Sequence, residues 1–419
     1  MKEVESVCLL NDSFPPYLDG VANTVYNYAF ELEKLGRQTS VITPGCSGAR
    51  DKDYPYSLIR YPGIPGLAPQ GYVAGIPFSP AVAGAVKKLR PEVYHNHCPI
   101  ASGFLVRSLR EIHPAPLIFT YHTKFDVDIE NVFSSRKLAE KCKRILVENI
   151  SASDEVWTVS RGAGENLEKI GFCGEWRVMK NGVDLPRGRV ADGIVDRVTG
   201  DRDIPPDVTV YLYVGRLMWY KGIRLILDGL KRLSDSGRDF RAVFIGKGDD
   251  SAAVADYCRK LGLEGKCIFP GPEYDRERLR AWYCRADVFL FLSSYDTNGL
   301  VVREAASCGL PALLIRDSCA AEDVRDGVNG FLTDEDPEAV YYALCQLYGN
   351  PELTKSVGER AMNGLYISWE DAVRTANEGY AEVREKWLSG GYDKKRSSHD
   401  GLWRRNGKMM DFLSAGNKA

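Results

Sequence analysis

Short β-branched or apolar runs alternate with longer helical patterns along most of this chain. That alternation constrains the fold more than any other feature, because strand–helix–strand units in series build parallel sheets. It occurs twice. In the first half, strands are expected near 4–10, 39–43, 93–96, 116–122 and 155–159, with helices between them, 21–36 being the clearest. A second series begins at Val208, with strands at 208–214, 242–245, 267–269, 288–292 and 312–315. Its helices are expected near 223–234, 252–261, 276–285, 301–308 and 338–347. Between the two series, KNGVDLPRGR at 180–189 collects the turn formers of an interdomain linker, and the run to Pro206 reads as polar and irregular. A chain of 419 residues exceeds the usual size of one core, and 44% apolar content can bury two. The expectation is therefore α/β: two doubly wound domains at 1–185 and 190–365, with 366–390 completing the first. Within that segment, 368–387 reads as one amphipathic helix packing back towards the first domain. Two such sheets in series place a cleft between them, and ligands bind outside the carboxyl ends of their strands.

Charge and cysteines remove several classes. Lys and Arg number 55 against 57 Asp and Glu, so the basic excess of a general nucleic-acid binder is missing. The 11 cysteines are odd in number, scattered and never closely spaced, which disfavours a zinc site or a disulfide framework and fits a reducing cytosol. MKEVESVCLLNDSF has too short an apolar run for a signal peptide, and no stretch approaches the roughly twenty apolar residues of a membrane span. A soluble or peripheral cytoplasmic protein is expected.

The strongest chemical signal is SSYDTNGLVVREAASCG, 293–309, directly after a strand. A glycine turn and a helix start place backbone N–H groups and the positive helix end where a phosphate or a sugar hydroxyl can be held. Asp296 lies before the helix and Glu304 about one turn inside it, so both can face one pocket. The plainer alternatives are an N-cap or Asx-turn for Asp296 and a dipole-stabilising carboxylate for Glu304. This segment resembles the E-x(7)-E motif of family 4 glycosyltransferases, with Asp296 where the common form has Glu. The resemblance implies the GT-B fold, two Rossmann-like domains facing a central cleft, and a nucleotide-sugar donor. It implies that Glu304 binds the donor ribose, that Asp296 lies against the transferred sugar, and that the amides of Asn298, Gly299 and Leu300 approach the sugar and diphosphate.

YVGRLMWYKG, 213–222, puts Arg216 after a strand and Lys221 before a helix, two cations flanking one loop and suited to a leaving diphosphate. A solvated cation pair is the alternative, but the run is similar to the family's G-R-L-x(3)-K-G pattern. In FPPYLDGV, 14–21, Gly20 lets the backbone approach a ligand ahead of a helix start. The family's loop here reaches the donor phosphates; Asp19 replaces one glycine of its usual pair, which leaves Asp19 as an acceptor-side residue or the loop as a plain helix start. His122 ends a strand in FTYHTK, and the resemblance implies that it binds the sugar's 6-hydroxyl. His95 and His97 are expected to alternate to opposite faces of a strand, against a two-His metal site, and to be structural or acceptor-side. Tyr274, in GPEY after the third strand of the second domain, sits where the family contacts the nucleobase through the backbone, or in an ordinary turn.

Arg216, Lys221 and two helix starts are expected to stabilise the diphosphate without a metal or other cofactor. The resemblance implies retention of configuration through front-side attack with the leaving phosphate as base, giving an α-glycoside. LDGVANTVYNYAFELEKLG, YHNHCPIASGFLVRSL and FTYHTKFD are similar to bacterial glycolipid synthases that glucosylate diacylglycerol, and the resemblance covers the chain to about residue 387. It implies UDP-glucose as donor, a lipid acceptor and an anionic membrane surface as partner. Arg136, Lys137, Lys141, Lys143 and Arg144, interleaved with Leu138, Ile145, Leu146 and Val147, form a helix for such a surface, each cation adding about 1 kcal/mol, or else a solvated face. The basic tail 391–419 reads as disordered or as a membrane-surface helix, with Gly401 and Gly407 interrupting any helix. A polysaccharide precursor or soluble sugar remains an alternative acceptor, and a non-catalytic nucleotide-sugar binder an alternative class.

Overall fold

The computed structural model describes residues 2–16, 19–46, 51–65, 73–132, 135–200, 202, 204–392 and 400–416. It divides into two compact units, Met1–Asn181 with Trp369–Ala419, and Gly182–Ser368.

In chain order the first unit runs β1 (Ser6–Leu10), α1 (Gly20–Lys34), β2 (Gln38–Pro44), β3 (Ser57–Tyr61), β4 (Gly63–Pro65), β5 (Val73–Gly75), α2 (Pro80–Leu89) and β6 (Val93–Asn96). It continues with α3 (Ala101–Ile112), β7 (Leu117–Tyr121), α4 (Phe125–Val132), α5 (Arg136–Ser151), β8 (Glu155–Thr158), α6 (Arg161–Lys169) and β9 (Trp176–Val178). The parallel sheet is ordered β3-β2-β1-β6-β7-β8-β9. Its central strands are covered on both faces, so SVCLL and LIFTY are buried at every residue and read as unbroken apolar runs. The strand order reverses between β1 and β6, which makes the loops after those strands the natural ligand crevice of this unit. The unexpected β3, β9 and β4–β5 hairpin are short or peripheral and lack a long apolar run.

The second unit runs α7 (Asp192–Thr199), β10 (Thr209–Val214), α8 (Ile223–Asp235), β11 (Phe240–Ile245), α9 (Ser251–Lys260), β12 (Cys267–Gly271) and α10 (Arg276–Arg285). β13 (Val288–Phe291), α11 (Leu300–Ser307), β14 (Ala312–Ile315), β15 (Phe331–Thr333), α12 (Pro337–Leu347) and α13 (Pro351–Gly364) complete it. The sheet is parallel, in the order β12-β11-β10-β13-β14-β15, and reverses between β10 and β13. The segment after the linker is not irregular throughout as expected: Val195 and Val198, three residues apart, seat α7 on the core beside α10.

α14 (Trp369–Leu388) and α15 (Asp400–Gly416) return to the first unit. On α14, Tyr380 stacks on Trp157 of β8 at 5.4 Å and Arg384 pairs with Glu92 at 2.6 Å. The tail corrects the disorder expectation over 400–416. α15 lies on α2 and α3, with Met410 fully buried and Trp403 stacked on Phe104 at 4.8 Å. Gly407 does not interrupt this helix but lets it approach α3 closely, because a Cβ there would stand 2.6 Å from the Ser108 carbonyl oxygen. Residues 393–399 and 417–419 lie outside the described residues.

Candidate functional site

The switch point of the second unit is built by two loops. After β10, Gly222 sits at φ 74°, and a Cβ would fall 1.9 Å from the Leu292 carbonyl oxygen, so the loop carrying Arg216 and Lys221 lies directly on the loop that follows β13. The rings of Tyr220 and Tyr295 meet edge to face at 5.3 Å across the same junction. Lys221 Nζ stands 2.5 Å from Asp296 Oδ1, with the side chains only 14% and 20% exposed. Lys221 is therefore tied to the neighbouring carboxylate in this structure, not a separate cation as the spacing suggested. The Arg216 guanidinium is exposed and donates to the Tyr220 hydroxyl at 2.9 Å.

Two buried polar atoms here have no protein partner, the Asp296 Oδ2 acceptor and the Asn298 Nδ2 donor. Leaving such atoms unmade costs free energy, so their convergence on one loop is what a polyhydroxylated ligand would relieve. Asp296 does not cap α11. Gly299 occupies the cap in the left-handed conformation, and no side chain bonds to the first amides of the helix. The positive end of α11 is thus left for a ligand anion.

Glu304 is fixed by residues distant in sequence. Arg276 Nη2 donates to Oε1 at 2.8 Å and the Tyr283 hydroxyl to Oε2 at 2.9 Å. Burial first, and then the Glu304 charge, push the Tyr283 phenol well above its usual range, so it stays a donor. Neither Arg276 nor Tyr283 was singled out from sequence; their separations of 28 and 21 residues leave no local signal. Tyr274, on the loop between β12 and α10, is 74% exposed. The carboxyl ends of β10, β12 and β13 therefore bring Arg216, Lys221, Tyr274, Asp296, Asn298, Gly299, Leu300 and Glu304 to one edge of one sheet.

In the first unit, both helix starts at the switch point already hold carboxylates. Asp19 accepts from Val21 N at 2.8 Å and Ala22 N at 2.7 Å, capping α1. This corrects the anion reading of the Gly20 loop, because the amides beside Gly20 are spent on Asp19. Asp12, unnoticed in sequence, accepts from Ala101 N at 2.8 Å and Ser102 N at 2.6 Å at the start of α3. Burial raises its pKa against those hydrogen bonds.

His122 ends β7, with Nε2 2.9 Å from His97 Nδ1 and the rings stacked at 5.2 Å. Burial pushes the His122 imidazole down to about 3, and burial also drives His95 and His97 well below the ordinary histidine value. All three are neutral at physiological pH, each with one N–H to donate. His95 and His97 do not point to opposite faces. Their rings stand 4.0 Å apart and both meet Tyr28, since a strand's period of two puts i and i+2 on the same side. His95 is structural, bonded to Tyr380 at 2.7 Å and Thr120 at 2.6 Å. Among the described residues no group of three or more His, Cys, Asp and Glu side chains is placed to hold a metal.

Residues 18–187 match the model of Glycosyltransferase Family 4, and residues 197–363 that of Glycosyl transferases group 1. The alpha-monoglucosyldiacylglycerol synthase of Acholeplasma laidlawii is 25% identical over 368 residues, covering 84% of this chain and 90% of that protein. A D-inositol 3-phosphate glycosyltransferase of Catenulispora acidiphila is 30% identical over 309 residues, 70% of this chain and 71% of its own. The solved sucrose-phosphate synthase from Thermosynechococcus elongatus superposes with a TM-score of 0.74 at 20% identity over 90% of this chain and 99% of that one. Anabaena HepE in complex with UDP and glucose gives 0.70 at 18% over 91% and 99%. With its two parallel-sheet Rossmann-like units, the chain belongs to the family 4, group 1 glycosyltransferases of GT-B fold, and it is a nucleotide-sugar-dependent hexosyltransferase.

Proposed function

We propose that this enzyme moves glucose from UDP-glucose to diacylglycerol with retention of configuration, forming an α-glucosyl lipid. The observation that carries the donor half is the pair of orphaned buried atoms, Asp296 Oδ2 and Asn298 Nδ2, beside the uncapped start of α11. In this reading Asp296 and Asn298 take sugar hydroxyls, and the amides of Gly299 and Leu300 take the diphosphate. Arg216 stabilises the charge that grows on the leaving group, Glu304 holds the ribose, and Tyr274 lies against the base. His122, neutral by burial, hydrogen-bonds the sugar's 6-hydroxyl. Gly20 gives backbone access beside α1 without supplying an anion site.

Asp296 is held by Lys221 as an acceptor for hydroxyls rather than as a free nucleophile. Similarity to the retaining family 4 enzymes, not this ion pair, supplies the next step of the reading, in which the acceptor hydroxyl attacks C1 on the face the diphosphate leaves. Its proton passes to the departing phosphate oxygen as the C1–O bond to phosphate breaks and the new one forms. Such chemistry asks for positioning and charge stabilisation, which preorganised amides and guanidinium groups supply.

Support for a lipid acceptor comes from the similarity to the Acholeplasma enzyme and from α5. Arg136, Lys137, Lys141 and Arg144 are exposed on α5 together with Leu138, 53% exposed, and Ile145, 37% exposed. Lys143 leaves the expected basic set, since it turns inward to Glu130 at 2.7 Å and Glu140 at 3.3 Å. Leu146 is likewise buried, in the core that α5 shares with Ile129 of α4. Among the described residues no helix is long and apolar enough to cross a membrane. In this reading the protein works as a peripheral one on the cytoplasmic face, where the exposed side of α5 meets the lipid.

The test is UDP release from UDP-glucose in the presence of mixed anionic liposomes containing diacylglycerol, with Glu304→Ala alongside. Release that requires diacylglycerol and is lost in the variant supports the proposal. Release only with another donor or a soluble acceptor overturns the glucosyl-lipid assignment.

A further inference from the structure

α15 has two finished faces, and only one of them is used by the fold. The inner face carries Trp403, Asn406, Gly407 and Met410, and it is bonded as well as packed. Asn406 Nδ2 donates to the Pro77 carbonyl at 3.1 Å and to Ser108 Oγ at 3.0 Å, Ser79 N lies 3.1 Å from Met410 Sδ, and the Arg107 guanidinium sits 5.4 Å over the Trp403 ring. Asp411 turns to Lys87 of α2. The helix is thus anchored to α2 and α3 through this face.

The outer face carries Leu402, Met409, Phe412 and Leu413, exposed by 56%, 52%, 78% and 42%. Leu402 and Met409 lie two turns apart, and Phe412 and Leu413 follow Met409 by three and four residues, so they form one stripe along the helix. Arg404, Arg405 and Lys408 are exposed along its flank. Arg404 lies 3.4 Å from Glu111 Oε2, while Arg405 and Lys408 pair with no described carboxylate. With Asp411 neutralised by Lys87, the charge presented outward is positive.

An apolar stripe with a cationic flank on a rigidly docked helix matches an anionic bilayer surface, where the apolar side chains enter the headgroup boundary and the cations meet lipid phosphates. α15 packs on α3, α3 also touches α5, and all three helices belong to the first unit. We propose that the outer face of α15 is a membrane-docking surface for anionic lipid. It rests on the lipid-acceptor reading for its purpose, though the face itself is defined by α15 alone.

The test is flotation of the full-length protein with vesicles of phosphatidylcholine alone and of phosphatidylcholine with phosphatidylglycerol. Wild type is expected to float with the anionic vesicles, and Met409→Ser/Phe412→Ser/Leu413→Ser and Arg405→Glu/Lys408→Glu each to bind them about tenfold or more weakly. Because these side chains lie on the exposed side of α15, circular dichroism of both variants should match wild type and thermal melting should stay close to it. A Phe412→Trp variant reads insertion directly, and its emission should shift to the blue on anionic vesicles. Wild type that does not float, variants that float equally well, or a Phe412→Trp emission that does not shift would overturn the proposal. So would a wild-type dimer that the apolar variant converts to a monomer without loss of vesicle binding, which would make the face a contact between two copies. Transfer to detergent-dispersed diacylglycerol separates the two claims. If it fails in wild type while anionic flotation depends on α15, the acceptor assignment falls and the docking surface stands; if it persists in the triple variant while flotation is lost, both stand.

Discussion

Substitution of Lys221 by Met tests whether the ion pair at the second unit's switch point is a coupled device. Lys221 and Asp296 are 2.5 Å apart and no more than a fifth exposed, and Asp296 Oδ2 already has no partner. Lys221→Met therefore leaves a carboxylate with neither oxygen compensated by a cation. Breaking a fully buried pair from one side costs about 3–5 kcal/mol. The residual exposure reduces this to about 2–3 kcal/mol here. Asp296→Leu strands the ammonium instead and should cost about 1–2 kcal/mol, since a lysine stem can swing its charge to water. The double variant removes both charges, so its cost should fall short of the sum by about 1.5 kcal/mol or more. Equilibrium urea unfolding of the four proteins measures this coupling. Additivity within about 0.5 kcal/mol would refute the reasoning, because it would show that the two charges do not depend on one another.

Three further outcomes follow from named contacts. Tyr283→Phe deletes one of the two hydrogen bonds that fix Glu304, worth about 1 kcal/mol, so KM for the sugar nucleotide should rise about fivefold with little change in kcat; an unchanged KM would mean Glu304 is not on the donor. His95, His97 and His122 are held neutral by burial, so the unfolded chain binds more protons than the folded one below about pH 6.5, and stability must fall as pH falls. The slope should approach about 1.4 kcal/mol per pH unit for each histidine between that value and about 3 for His122, and His122→Gln should make unfolding free energy measured against pH visibly less steep. Gly222→Ala places a methyl 1.9 Å from the Leu292 carbonyl at a positive φ, and should destabilise the protein by at least about 3 kcal/mol, seen as a lowered urea midpoint.

The alternating strands and helices were legible because buried parallel strands are short unbroken apolar runs and their helices are longer and amphipathic. The strands at 93–96 and 312–315 and the helix at 276–285 match residue for residue. β9 and β15 escaped notice because three-residue edge strands carry no period. α13 also went unread although Asn350 and Pro351 form a helix start, the cap accepting from Leu353 N at 3.3 Å. At the candidate site, the edge-lining residues could be located because each follows a strand. What fixes them could not: Lys221 meets Asp296 across 75 residues, and Asp12 reaches Ala101 of α3 across 89. Asp19 shows the limit of a one-residue inference, since a carboxylate in a glycine position served its own helix. For the tail, disorder and a surface helix both stayed open in the sequence, because Gly407 reads as an interruption until its partner, Ser108, shows that a missing side chain is a condition for close helix packing.

The most direct test of the proposed activity is the chemical identity of the product. Protein incubated with UDP-glucose and diacylglycerol in anionic liposomes should yield a lipid carrying one glucose whose anomeric proton, by NMR, is α, and Glu304→Ala should yield almost none. A β-linked product would contradict retention, and a sugar recovered only on a soluble acceptor, or only from a donor other than UDP-glucose, would contradict the assignment itself.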